Sequence, residues 1–275
     1  MKKKVGYFDK KLRDNFQEKI SLISTVLSLI LIFFDIPNKY KVCSGIIFLI
    51  GLLIMYWCLW YRANNMFSVS FCINETVINI EIGDIFNETG IKVIPFNEYF
   101  DTIIDDVIIS KNSLNGIFIN KIINEKRVNL EELNKKIENE LSDKKISINH
   151  NRKKGKKIKY KLGTIFEYDD YFLTAMTKFD NDNRAKISQK EFLEFLLEFW
   201  ENIDIKYNNR KIIVPLLGSG ITRFEKNIKP QELLSQIIWI FKLSQISLKS
   251  GLKIIIHENM KEQINLYEIK EIFTN

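Results

Sequence analysis

Histidine and cysteine are scarce in this chain: two His and three Cys stand among 275 residues. His150 and His257 lie far apart in sequence, and neither a CxxC pair nor a CxxC with a following HxxxH occurs. That spacing argues against a zinc site and against a disulfide framework. Cys43 and Cys58 lie inside an apolar run and Cys72 follows soon after, a usage consistent with a reducing cytoplasm. No small-residue cleavage site follows the first apolar run, and a second run comes at once, so a cleaved signal peptide fits poorly. Deep inside the two runs no Asp, Glu, Lys or Arg occurs, which argues against a selective transport pathway as well.

The runs themselves are the most informative feature present. Residues 20–36 read ISLISTVLSLILIFFDI and residues 42–61 read VCSGIIFLIGLLIMYWCLWY, separated by residues 37–41. A hydrocarbon core of roughly 30 Å takes about 20 apolar residues in a helix. The second run meets this length; the first is slightly short, with Asp35 at its far end. Neither run has the polar face of a soluble surface helix, so the pair is expected to be a transmembrane hairpin rather than a buried hairpin of a soluble protein. Lys2, Lys3, Lys4, Lys10, Lys11, Arg13 and Lys19 precede the first run, whereas the link holds only Lys39 and Lys41. The positive-inside rule then places residues 1–19 and everything after Arg62 in the cytoplasm.

The formal net charge is +7, and the densest basic stretch is residues 152–161, RKKGKKIKYK. It lacks the interleaved aromatics of a base-stacking platform. A solvated loop, a membrane-surface contact and a nucleic-acid contact all fit the stretch, with nucleic acid the weakest of the three.

Residues 67–275 alternate strand-like and helix-like segments. Half-buried strands are expected at 67–72 and 77–82, and short apolar strands at 91–95, 164–168 and 171–178. Leu130, Leu133, Ile137 and Leu141 share one helical face. Ser188 and Glu191 have capping-box spacing ahead of Phe192, Phe195, Leu196, Phe199 and Trp200. Buried strands at 211–217 and 252–257 flank a helix at 230–248, with Pro230 near its start and Gly251 beyond its end, and a helix at 266–273 closes the chain. Strands alternating with crossover helices imply a three-layer α/β/α domain, with the Lys- and Asn-rich residues 139–159 as a long insertion.

Ligands of open α/β sheets bind beyond the carboxyl ends of the strands. After the strand at 211–217 come Gly218, Ser219, Gly220, Ile221, Thr222, Arg223 and Phe224. Glycines at alternate positions let backbone N–H groups converge on an anion. Ser219 and Thr222 add hydroxyls, and Arg223 adds a fork that fits phosphate. A tight strand-to-helix turn explains the glycines equally well. The third glycine of GxGxxG is missing, no Lys follows as in a Walker A loop, and Ser219 is in no GxSxG elbow. The second notable segment ends the strand at 77–82 with Gly83-Asp84-Ile85, where the acid either caps the turn or accepts from a ligand's amino group.

Gly83-Asp84-Ile85, followed much later by Pro215-Leu216-Leu217-Gly218-Ser219-Gly220-Ile221 with Phe224 downstream, resembles the macro domain, an ADP-ribose-binding α/β module. The resemblance implies that Asp84 reads the adenine amino group, that residues 218–222 cradle the diphosphate and that Phe224 flanks a ribose. Ile94-Pro95-Phe96-Asn97 and Ser113-Leu114-Asn115-Gly116 stand where that family has an Asn-rich stretch and a Gly-rich turn, and they match less well. This implies Asn97, Asn115 and Gly116 as further ligand contacts, and it weakens the case for the family's hydrolase activity.

The two-span layout, with the stretches 91–102 (IKVIPFNEYFDT) and 171–180 (YFLTAMTKFD), is similar to the membrane-anchored macro proteins of bacterial Thoeris antiphage systems. That resemblance implies an inner-membrane, multi-pass sensor and effector. A TIR-domain partner makes an ADP-ribose-derived signal from NAD. The chain binds it, assembles into a homo-oligomer and disrupts the lipid bilayer, with no cofactor, metal or nucleic acid involved. The alternatives are a membrane-tethered ADP-ribosyl hydrolase, for which Glu98, Asp101 and Asp105 are the candidate carboxylates, and a passive tethered adaptor.

Overall fold

The computed structural model describes residues 4–126, 129–180, 183–220, 222–224 and 227–274. They form two compact units, Met1–Val69 with Ile264–Asn275, and Ser70–Gln263.

In the first unit, helix α1 spans Lys10–Phe33 and helix α2 spans Asn38–Asn64. At a rise of 1.5 Å per residue these are about 36 and 40 Å long. Both are long and apolar enough to cross a membrane, and Leu22, Val26, Leu29, Ile47 and Leu53 point outward from them. Asp9 accepts from Leu12 N–H at 3.1 Å, so α1 begins well before the apolar run. The link differs from the expected 37–41. The first helix stops at Phe33, residues 34–37 make the turn, and Asn38–Lys41 open α2. The cause is Pro37, whose φ of −54° suits a helix start and whose ring drives the residue before it out of the α region. At the base of the pair, the Asn64 carboxamide oxygen accepts from Lys4 N–H at 2.9 Å and Val5 N–H at 3.0 Å, and Trp60 donates to Val5 O at 3.1 Å. A terminal helix, Leu266–Phe273, adds Tyr267 to the cluster of Val5, Leu12, Tyr56 and Ala63.

After β1 (Ser68–Ile73), in which the second unit begins at Ser70, the chain runs β2 (Thr76–Ile82), β3 (Ile91–Asn97), α3 (Leu114–Lys126), α4 (Leu130–Glu140), β4 (Lys145–Ile148), β5 (Ile158–Tyr160), β6 (Ile165–Tyr168) and β7 (Tyr171–Phe179). It continues with β8 (Ala185–Ile187), α5 (Gln189–Lys206), β9 (Ile212–Pro215), β10 (Arg223–Phe224), α6 (Pro230–Ser244) and β11 (Leu252–Ile256). The main sheet has the order β1-β2-β11-β9-β3-β7-β8-β10, with β6 also on β7. From β2 to β7 each neighbour is parallel. The turn joining β1 to β2 has positive φ at both Asn74 and Glu75, the geometry of a two-residue hairpin.

Parallel strands covered on both faces are apolar throughout, as β9 (IIVP) and β11 (LKIII) are. On one face Ile94, Phe96 and Leu173 pack with Phe118, Ile119 and Ile122 of α3 and Leu133 and Ile137 of α4. On the other lie α5 and α6, joined by Trp200 and Phe241 with ring centroids 4.9 Å apart. The expected three-layer α/β/α arrangement is therefore present, and the Ser188–Glu191 capping box forms as the spacing implied.

Three local expectations change. Helix α3 was not anticipated. Helix α6 ends at Ser244 rather than 248, because Gln245 takes a left-handed φ of 56°, and Gly251, at φ +86°, turns the chain into β11 instead. Within the expected insertion, β4 and β5 pair as an antiparallel hairpin that carries much of the basic stretch.

Candidate functional site

Because β2, β11, β9 and β3 are parallel neighbours, the residues following each of them emerge on one edge of the sheet. Asp84 leaves β2, the loop from Leu216 leaves β9 and Asn97 ends β3. Segments more than a hundred residues apart in sequence thus emerge on one edge of the sheet, the side on which open α/β sheets hold ligands.

Asp84 is exposed and caps its own turn, its Oδ1 accepting from Phe86 N–H at 3.0 Å. Ile85 turns inward, 4% exposed, against Ile213 and Ile255. Its side chain is core, so only its backbone lies within reach of a ligand. Leu114 and Phe86 pack on this same cluster, which brings the start of α3 beside the Asp84 turn. Asn115 and Gly116 sit in the first turn of α3, not in a Gly-rich loop. Ser113 Oγ accepts from Gly116 N–H at 3.2 Å. A Cβ at Gly116 would stand 2.2 Å from Ser110 O, so the glycine serves a close backbone crossing.

In the loop after β9, Gly218 has φ +81°, and a Cβ there would meet the Phe224 ring at 2.9 Å. Phe224 is held by Phe192, ring centroids 5.3 Å apart and edge to face, and by the parallel pairing of β10 with β8. The Ser219 hydroxyl donates to Leu216 O at 2.6 Å. This bond closes the turn. Among the described residues, Gly220 has no atom within 4 Å of where its Cβ would be. Thr222 is half-buried and Arg223 exposed; Ile221 lies outside the described residues.

Asn97 is 2% exposed. Its Oδ1 accepts from Tyr99 N–H at 2.9 Å and its Nδ2 donates to Asp101 Oδ2 at 3.0 Å. Asp101, 0% exposed, is clasped by Arg152, Nη2 to Oδ2 at 2.6 Å and Nη1 to Oδ1 at 3.2 Å. It also accepts from Lys156 N–H at 2.7 Å. The Arg152 guanidinium lies 3.9 Å from the Tyr99 ring centre and donates to Asn183 Oδ1. Glu98 pairs with Lys159 at 3.2 Å. Burial opposes the charge on Lys159, but Glu98 and Tyr99 together more than offset it and hold the ammonium above its ordinary range. Asp105 accepts from Ile108 and Val107 N–H, and these bonds, the Ile108 one foremost, hold its carboxyl below the usual range.

Sequence reasoning passed over Arg152 and Lys156. The lone Arg that opens a run of lysines was the available signal, since a planar fork suits a buried carboxylate better than an ammonium does. Lys156 Nζ is enclosed without a hydrogen-bond partner among the described residues. Burial pulls its pKa down to about 8 against the opposing pull of Asp101 and Glu138.

Comparison with known proteins bears on the whole of this unit. The family model described as Thoeris protein ThsA, Macro domain, matches residues 78–257. Thoeris protein ThsA of Bacillus amyloliquefaciens (strain Y2) is 34% identical over 263 residues, 93% of this chain and 88% of that one. Among solved structures, the Oceanobacillus iheyensis macrodomain with MES bound is 14% identical, covering 74% of this chain and 97% of its own, with a TM-score of 0.46. The same macrodomain with ADP is 14% identical over 74% of this chain and 96% of its own, TM-score 0.46.

Proposed function

The chain belongs to the Thoeris ThsA macro-domain family, and from that premise we propose that it is a membrane-anchored receptor for an ADP-ribose-derived signal. The observation that carries this reading is the convergence of Asp84 and the Gly218–Phe224 loop on one sheet edge. Asp84 accepts from the adenine amine. The backbone of residues 218–222 surrounds the diphosphate, where bonds to a charged partner are strongest. Arg223 faces the phosphates and Phe224 flanks a ribose. Asn97, Asn115 and Gly116 border the distal end.

Helices α1 and α2 hold the chain in the inner membrane with both termini cytoplasmic. A TIR-domain partner supplies the signal from NAD, and binding that favours an assembled form shifts the population toward it. Gly45 and Gly51 have nothing within 4 Å of an added Cβ, and with Ser21, Ser24 and Ser28 they supply the small residues that let membrane helices approach closely. Assembled hairpins then disrupt the bilayer.

The hydrolase alternative needs a base free to take a proton. Asp101 is bound by Arg152, Glu98 by Lys159, and Asp105 by two backbone N–H groups, which supports binding over hydrolysis. The test is incubation of the full chain in lipid discs with an ADP-ribosylated protein and with O-acetyl-ADP-ribose. Both should be recovered unchanged; released ADP-ribose would favour the hydrolase.

A further inference from the structure

The β4–β5 hairpin presents an uncommon surface for a soluble unit. Every residue of β4 is exposed, with Ile146 at 63% and Ile148 at 55%. Ile146 sits at the register shift between Lys145 and Ser147, and Ile148 pairs with Ile158 of β5, so the two lie on the same short strand and both reach solvent. Around them Lys145, Lys153, Lys154 and Lys157 are exposed and form no salt bridge among the described residues, although Lys154 is near enough to Asp105 to help hold that carboxyl low. Of the other cations of the stretch, Lys156 is enclosed, and Arg152 pairs with Asp101, Lys159 with Glu98 and Lys161 with Glu198. The hairpin is also fixed in place, because Arg152 and buried Tyr160 anchor it from within. Four exposed ammonium groups on a hairpin that also exposes two aliphatic side chains complement a surface that is both anionic and apolar just beneath.

We propose that the β4–β5 hairpin docks on the anionic lipid headgroups of a bilayer, with Ile146 and Ile148 entering the interface and the four lysines on the phosphates. A nucleic acid offers the charge but nothing for the isoleucines, and the one tyrosine of the hairpin, Tyr160, is buried. The proposal rests on the membrane-anchored reading. It gives the basic stretch a role separate from the ligand edge, and it makes docking dependent on ionic strength, since exposed charges are screened within about 10 Å at 0.1 M salt.

The test is amide hydrogen exchange over residues 145–157 of the full chain in lipid discs, of pure phosphatidylcholine or with one third phosphatidylglycerol. Recovery of the chain in discs reports the anchor independently of the hairpin. Exchange should slow at least tenfold in the phosphatidylglycerol discs, and the protection should fade at high salt. It should vanish when Lys145, Lys153, Lys154 and Lys157 are replaced by Gln and persist when they are replaced by Arg. Equal exchange in the two lipids, or protection that survives the Gln replacements, overturns the proposal. So does equal protection by added duplex DNA in phosphatidylcholine discs.

Discussion

Arg152 grips both oxygens of Asp101 in a buried, two-pronged ion pair that joins the β4–β5 hairpin to the segment after β3. Removing one member of such a pair leaves the other charge buried and unmatched, at a cost of about 3–5 kcal/mol. Asp101→Ala and Arg152→Ala should each lower the unfolding free energy of the full chain by that order. The double variant should lose less than the sum of the two. Strict additivity in denaturant unfolding contradicts the pairing.

Lys156 gives the fold a pH dependence whose sign is fixed. Its pKa of about 8 in the folded chain, depressed first by burial, lies below the ordinary lysine value of about 10.4. Below pH 8 the ammonium is charged in both states and burial opposes folding; above about 10.4 it is neutral in both. Stability should therefore rise between those limits. Lys156→Met should raise stability at pH 7 and flatten the rise, as followed by thermal unfolding across the window.

The two glycines of the β9 loop separate folding from binding. Gly218→Ala places a Cβ at positive φ and 2.9 Å from the Phe224 ring, so it should cost more than about 1 kcal/mol of stability. Gly220→Val places its Cβ within 4 Å of no atom of the described residues and should change stability by less than about 0.5 kcal/mol. Its affinity for ADP-ribose should nonetheless fall more than about tenfold, as contacts of about 1–3 kcal/mol each are lost. Unchanged affinity in Gly220→Val removes the loop from the site.

Asp84 carries a cap and, in the proposed reading, an adenine contact. Asp84→Asn keeps an oxygen to accept from Phe86 N–H, so stability should hold. Affinity for adenine-containing ligands should drop while ribose-5-phosphate is spared. Equal loss for both ligands assigns Asp84 to folding alone.

Much of this arrangement was legible along the chain. Apolar runs marked β9 and β11, the Ser188–Glu191 spacing marked the start of α5, and Gly83-Asp84 and Gly218–Phe224 fell at strand ends. Such features rest on local chemistry. The roles of Arg152 and Asn97 did not show, because their partners are set by tertiary contact: Asp101 lies 51 residues from Arg152. Helix α3 mixes Asn and Lys with its apolar residues, LNGIFINKIINEK, and its pattern becomes clear only once Phe118, Ile119 and Ile122 are seen against β3. The start of α1 at Lys10 was hidden because a cap at Asp9, not hydropathy, sets it. The bond of the Ser219 hydroxyl to Leu216 O did not show either, since it closes within its own turn.

The central claim is that the edge carrying Asp84 and Gly218–Phe224 binds an ADP-ribose-type ligand. Titration calorimetry of the full chain in lipid discs with ADP-ribose tests it most directly. The account predicts saturable binding that Gly220→Val weakens more than about tenfold without lowering the unfolding temperature. Absence of binding, or binding equally strong in a stably folded Gly220→Val chain, contradicts it.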